Sequence, residues 1–190
     1  MISWTAAIRQ ARPGDAGGIA GVEVETWRDA YPTLVPRAFL IHRLDARLGA
    51  ERWRRRIAGG ESVIVAATAG GRIVAYATWG PARIASGLPA EARGAKAGQL
   101  YELYVAPAAR ERGIGRRLLR EAAARMLAAG MAAMAVEVLE GNPARWFYEA
   151  LGGRLAARGR HGFAGKRLPT AVYAWDDLRA LVGAANPEAS

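Results

Sequence analysis

No cysteine occurs in the 190 residues. That excludes disulfides, thiolate metal sites, Cys-x-x-Cys redox chemistry and any acyl-cysteine intermediate. Histidine occurs only as His42 and His161, too far apart in sequence to read as a zinc pattern, so no metal is expected. Lysine is equally scarce: of 27 basic residues only Lys96 and Lys166 are lysine, and the other 25 are arginine. No apolar run approaches membrane-spanning length, and the N-terminus lacks a basic-then-apolar signal pattern. The expected compartment is therefore the cytoplasm, without a membrane partner. The formal charge is +10, carried by an Arg and Ala bias that reads more as a coding habit than as a functional message. A basic surface suits nucleic acid or acidic ligands. No RRM, KH, zinc-finger or clear helix-turn-helix pattern accompanies it, so nucleic acid is not an expected partner. What the sequence does have is core material, with 52% hydrophobic residues. No repeat or long linker divides it. One domain over residues 1–182 is expected, with 183–190 as a flexible tail.

The element pattern is mixed. Ile2 to Ala11 reads as a strand. Pro13-Gly14-Asp15 turns the chain, with Asp15 as an N-cap, and Ile19, Val22, Trp27 and Tyr31 follow at helical spacing. A second helical zone covers Pro36 to Leu48, and a third starts near Ala50 and stops at Gly59-Gly60. Ser62 to Thr68 and Arg72 to Trp79 form a hairpin about Gly70-Gly71. Pro81 to Gly98 reads as a loop and Leu100 to Ala106 as the next strand. Gly115 to Ala129 is the clearest helix, with Leu118, Leu119, Ala122, Met126 and Leu127 on one face. Met134 to Leu139 is a strand. Asn142 caps a short helix that begins with Pro143 and runs to Leu151. Strands at Arg154–Arg160 and Thr170–Trp175 end the order. This is an α/β arrangement about one central sheet, without regular βαβ alternation.

Two segments carry chemistry. Between a strand and the strongest helix lies Arg110-Glu-Arg112-Gly113-Ile114-Gly115-Arg116. Glycines let backbone approach a ligand, and unpaired N–H groups at a helix start form an anion cradle aided by the helix dipole. Arg110, Arg112, Arg116 and Arg117 surround it with guanidinium forks suited to phosphate oxygens, so the site fits a pyrophosphate. It is neither a P-loop, since no Gly-Lys-Ser/Thr follows, nor a dinucleotide fingerprint, since Leu118 replaces the third glycine. The second segment is Asn142-Pro-Ala-Arg-Trp-Phe-Tyr148-Glu-Ala-Leu-Gly152-Gly153.

Together these segments resemble the GCN5-related N-acetyltransferase family. Arg110-x-x-Gly113-x-Gly115 matches that family's pyrophosphate loop, Leu103 to Pro107 its fourth strand, and Asn142 to Gly152 its fourth helix. Trp27, Tyr31 and Trp53 resemble an aromatic pattern of one bacterial branch, with Thr26 where that branch has Ser. Gly153 departs from the commoner Phe.

The resemblance implies a single domain with a mostly antiparallel mixed sheet, splayed between its fourth and fifth strands and flanked by helices. Acetyl-CoA would enter that opening as co-substrate. Leu103, Tyr104 and Val105 would offer backbone groups to its pantetheine arm, Arg110, Arg112, Gly113, Ile114, Gly115 and Arg116 would hold the pyrophosphate, and Asn142 would also lie at the cofactor site. Tyr148 would protonate the leaving thiolate, since a phenol stays protonated near neutrality. Glu102 is the expected base, with Glu25 and Glu137 as other candidates. Trp27 and Tyr31, with Trp79 and Tyr104, would line an amine acceptor pocket. With no cysteine to carry the acetyl group, transfer would be direct, in a ternary complex. A catalytically silent CoA-binding module is the alternative, and a basic nucleic-acid binder a third. A homodimer stays open.

Overall fold

Among the residues that the computed structural model describes, 6–31, 33–35, 44–84, 97–163 and 165–183, seven strands form one sheet. They are β1 Ala7–Gln10, β2 Ser62–Ala67, β3 Ile73–Pro81, β4 Ala97–Val105, β5 Ala133–Leu139, β6 Arg154–Phe163 and β7 Lys166–Trp175. Five α-helices lie among the described residues: α1 Ala16–Ala30, α2 Ala46–Ala58, α3 Ile114–Ala128, α4 Ala144–Ala150 and α5 Leu178–Gly183. The strand order is β1-β2-β3-β4-β5-β7-β6. Every neighbouring pair is antiparallel except β4–β5, which is parallel.

Side-chain direction along β4 decides what faces what. Trp79 pairs with Leu100 while Thr78 pairs with Glu102, so Tyr101 is an extra residue, a bulge. A bulge reverses the alternation of faces. Before it, a side chain at Gly98 would strike Met126 of α3. After it, Glu102 bonds Arg56 of α2 and Tyr104 packs on Trp27 of α1, while Val105 turns to Gly115 of α3. Helices α1 and α2 therefore cover one face of the sheet and α3 the other, with α5 packed beside α3.

Helices α1 and α2 are tied by a buried ion. Glu23, 1% exposed, accepts from Arg52 at 2.5 Å and from the Trp53 indole at 3.0 Å. On the opposite face Leu118, Leu119, Ala122 and Met126 of α3 are buried as their spacing predicts.

Several expected boundaries move. Helix α2 runs unbroken from Ala46, because the Asp45 carboxylate accepts from the Arg47 and Leu48 amides at 2.9 and 3.0 Å. The earlier part of the expected Pro36–Leu48 helix, with His42, lies outside the described residues, as does Ile2 to Thr5 of the expected first strand. Asp15 does not cap α1. Its carboxylate closes the turn before it, bonding the Arg12 amide at 2.7 Å and the Arg9 guanidinium at 2.7 and 2.8 Å. Strand β4 begins at Ala97, inside the expected loop, because Ala97 to Leu100 pair with Ala133 to Val136 of β5. Helix α5 was not expected. It follows Asp177, whose carboxylate accepts from the Arg179 amide at 2.8 Å, and buries Leu178 and Leu181.

Candidate active site

The β4–β5 ladder stops at the Leu100–Val136 pair. Beyond it Tyr101 to Val105 and Glu137 to Leu139 carry no pairing with each other, so the sheet opens into a V with a free backbone edge on β4. The V leads into a cleft of about 1190 Å³, bounded by β4, β5, the end of α1, the start of α3 and α4. That volume exceeds the usual range for a small ligand, roughly 300–1,000 Å³.

One end of the cleft is the cradle. Gly113 has φ 68° and precedes the first residue of α3, a left-handed position that favours glycine. Glu111, at φ 59°, is also left-handed, so the loop turns sharply on both sides of Arg112. Gly113, Ile114, Gly115 and Arg116 line the cleft where the first amides of α3 lack helical partners. A Cβ on Gly115 would meet two ring carbons of Phe147 at 3.4 Å, an ordinary contact, so α3 and α4 pack closely here. Arg110 lines the cleft and pairs with Asp29 at the end of α1. Two of the expected arginines stand apart. Arg112 is not among the cleft residues, and Arg117 donates to the Ala6 carbonyl at 2.9 Å.

Helix α4 forms the inner wall. The Asn142 side chain accepts from the Ala144 amide at 2.9 Å and donates to the Tyr31 hydroxyl at 3.0 Å. Asn142 is thus a brace between α4 and α1 as well as a cleft residue. Tyr148 lies buried on α4 with its edge toward Trp175 and Phe147, and it lines the cleft. Burial pushes its phenol well above the ordinary range, so the hydroxyl keeps its proton. The departure at Gly153 has a local cause. A Cβ there would sit 2.8 Å from the Trp175 ring and 2.8 Å from the Tyr148 carbonyl.

The face toward α1 carries the aromatic and acidic groups. Trp27 stacks on Tyr31 at 4.3 Å, and Tyr104 approaches Trp27 edge-on at 6.4 Å. Burial raises the phenols of both Tyr31 and Tyr104. Leu103, Tyr104, Val105, Trp27 and Tyr31 all line the cleft, whereas Trp79 packs against the main core instead. Glu102 lines the cleft but faces Arg56 at 3.3 and 3.4 Å, and Arg56 is held in turn by Glu61. Glu25 is exposed and lies at a separate depression near Gly71, outside the cleft. Glu137 lies in the cleft with two partners that sequence reading missed. The Thr170 hydroxyl donates at 2.8 Å, and His161 Nδ1 stands 3.2 Å away. His161 and Glu137 come from different strands, and no local pattern could have joined them. Among the described residues no group of three or more acidic or histidine side chains is placed to hold a metal, and no helix is long and apolar enough to cross a membrane.

Comparison with known proteins gives consistent matches. Residues 23–152 match the model of the acetyltransferase (GNAT) family. An uncharacterized N-acetyltransferase of Bacillus subtilis strain 168, YuaI, is 33% identical over 174 residues, covering 92% of this chain and 95% of that protein. An N-acetyltransferase from Staphylococcus aureus Mu50 has a similar structure, with TM-score 0.68, 20% identity, and coverage of 91% of this chain and 98% of the other. So does yncA of Salmonella typhimurium, solved with its cofactor acetyl-CoA, with TM-score 0.65, 21% identity, and coverage of 97% and 99%.

Proposed function

Because the chain belongs to the acetyltransferase (GNAT) family and is an acyl-CoA N-acyltransferase, we propose that it transfers the acetyl group of acetyl-CoA directly to a primary amine while both are bound. The observation that carries this reading is the continuity of one cleft from the α3 cradle, past the open β4 edge and Tyr148, to the acidic and aromatic side chains facing α1. Each part has a task. The α3 amides and Arg116 hold pyrophosphate, helped by the helix dipole. Arg110 joins them by exchanging Asp29 for phosphate oxygens. Backbone groups that β4 turns to the V between Leu103 and Val105 take the pantetheine amides, the Val105 carbonyl being engaged already by Thr26 and Arg110, and a backbone N–H there stabilises the tetrahedral oxyanion.

The amine arrives from the α1 side of the sheet. There Glu102, paired with Arg56, and Glu137 offer carboxylates to an ammonium. After loss of its proton the nitrogen attacks the thioester carbon. The C–S bond breaks and Tyr148, kept protonated by burial, gives its proton to sulfur.

The test is thiol release from acetyl-CoA against a panel of primary amines and amine-bearing peptides, read together with acetyl-CoA binding by calorimetry. Amine-dependent release supports the reading. Tight acetyl-CoA binding without release by any amine would instead identify a silent CoA-binding module.

A further inference from the structure

Resting on the acetyl-transfer reading above, we infer that His161, oriented by Glu137, is the base that takes the acceptor's proton. Glu137 is the first β5 residue past the last β4–β5 pair, so it stands at the root of the V, beside the place that the proposed reaction gives the thioester. Its alternation with Leu139, which packs on Trp27 and Tyr31, puts it on that side. The carboxylate is fixed from two directions. Thr170, on β7, donates to Oε1 at 2.8 Å, and His161, on β6, presents Nδ1 to Oε2 at 3.2 Å. A carboxylate facing Nδ1 favours the proton on that nitrogen, which leaves Nε2 as an acceptor. His161, Glu137 and Thr170 all line the cleft.

The competing carboxylates are placed less well for this step. Glu102 faces the Arg56 guanidinium, so protonating it would weaken an ion pair that also involves Glu61. Glu25 lies outside the cleft. An imidazole can accept and return a proton near neutral pH without such a loss. His161 Nε2 takes one proton from the ammonium and passes it to solvent. The amine nitrogen forms the C–N bond, and the sulfur leaves with the C–S electron pair. Of the two remaining nitrogen protons one stays in the amide, and the other passes to the phenolate that Tyr148 becomes on protonating sulfur, so the enzyme is restored and one proton in all reaches solvent. Glu137 and Thr170 are positioning residues.

Two measurements test the assignment. First, His161→Gln is compared with wild type using acetyl-CoA and the best acceptor from the primary amine panel. Turnover falls by about 10²–10⁴, the usual weight of general base catalysis, while acetyl-CoA affinity holds within about twofold. Free imidazole restores at least about tenfold to His161→Gly. Second, ring-¹⁵N NMR of the His42→Gln protein, which has a single histidine, shows the neutral ring protonated at Nδ1, a preference lost in Glu137→Leu. Near-normal turnover of His161→Gln, or a ring protonated mainly at Nε2, overturns the base assignment and leaves acetyl transfer standing. Acetyl-CoA binding with no amine acetylated by wild type overturns both.

Discussion

Replacing Gly153 by alanine tests whether the α4–β6 junction holds Tyr148 in place. The added Cβ would lie 2.8 Å from a Trp175 ring carbon and 2.8 Å from the Tyr148 carbonyl oxygen, against ordinary contacts that begin near 3.4 Å, so something must move by about 0.6 Å. Neither neighbour is free to do so. The Trp175 indole donates to the Leu151 carbonyl at 2.8 Å, and the Tyr148 carbonyl already accepts from the Gly153 and Leu151 amides at 2.9 and 3.2 Å. Overpacking of this kind costs about 1–3 kcal/mol, and a stretched hydrogen bond adds about 1 kcal/mol. We expect urea unfolding to report a loss of about 2–4 kcal/mol. Because the strain falls on the carbonyl of Tyr148 itself, turnover should drop by roughly tenfold even where the protein is fully folded. Trp175→Phe removes the crowding ring carbons but leaves the Tyr148 carbonyl, so Gly153→Ala should cost less in that background by the share that the ring imposes, and a double-mutant cycle measures the coupling. Gly153→Phe should be worse than Ala. A stability change of Gly153→Ala within about 0.5 kcal/mol of zero, or costs that simply add in the double variant, would refute the reasoning.

Tyr148→Phe should leave acetyl-CoA affinity unchanged and lower turnover by roughly 10²–10⁴, with a smaller loss for acyl-thioesters whose leaving thiols are more acidic. Gly115→Glu should abolish acetyl-CoA binding in calorimetry, because it puts a carboxylate where the cradle holds the pyrophosphate. Glu23→Leu should cost about 2–3 kcal/mol in urea unfolding, since the buried Trp53 indole loses its acceptor while Arg52, partly exposed, can still reach water. The Arg9 guanidinium, hydrogen-bonded to Asp15, lowers that carboxyl below its ordinary 3.8, so the pair stabilises the fold above that pH and its contribution disappears as pH falls through the folded value. Stability curves of wild type and Asp15→Asn should therefore differ at neutral pH and converge in acid. Initial-rate patterns in both substrates should intersect, whereas parallel lines would indicate an acetylated enzyme.

Features specified within one helical turn or one hairpin were legible in the residues themselves. The apolar face of α3, Gly113 ahead of it, the Asn142 turn before α4 and the Gly70-Gly71 hairpin depend on contacts only a few residues apart, so their spacing announces them. The order of strands and helices follows from the same local signals. Tertiary structure decided where the β4–β5 ladder ends, and so where the V opens, because strand register is set by which faces the whole core buries. It also decided that Tyr101 bulges and turns Glu102 and Tyr104 toward α1 and α2, that Arg117 serves Ala6 rather than the cradle, and that Gly153 makes room for Trp175. His161 reaches Glu137 only because β7 lies between β5 and β6 in the sheet, bringing together side chains 24 residues apart that share no periodicity.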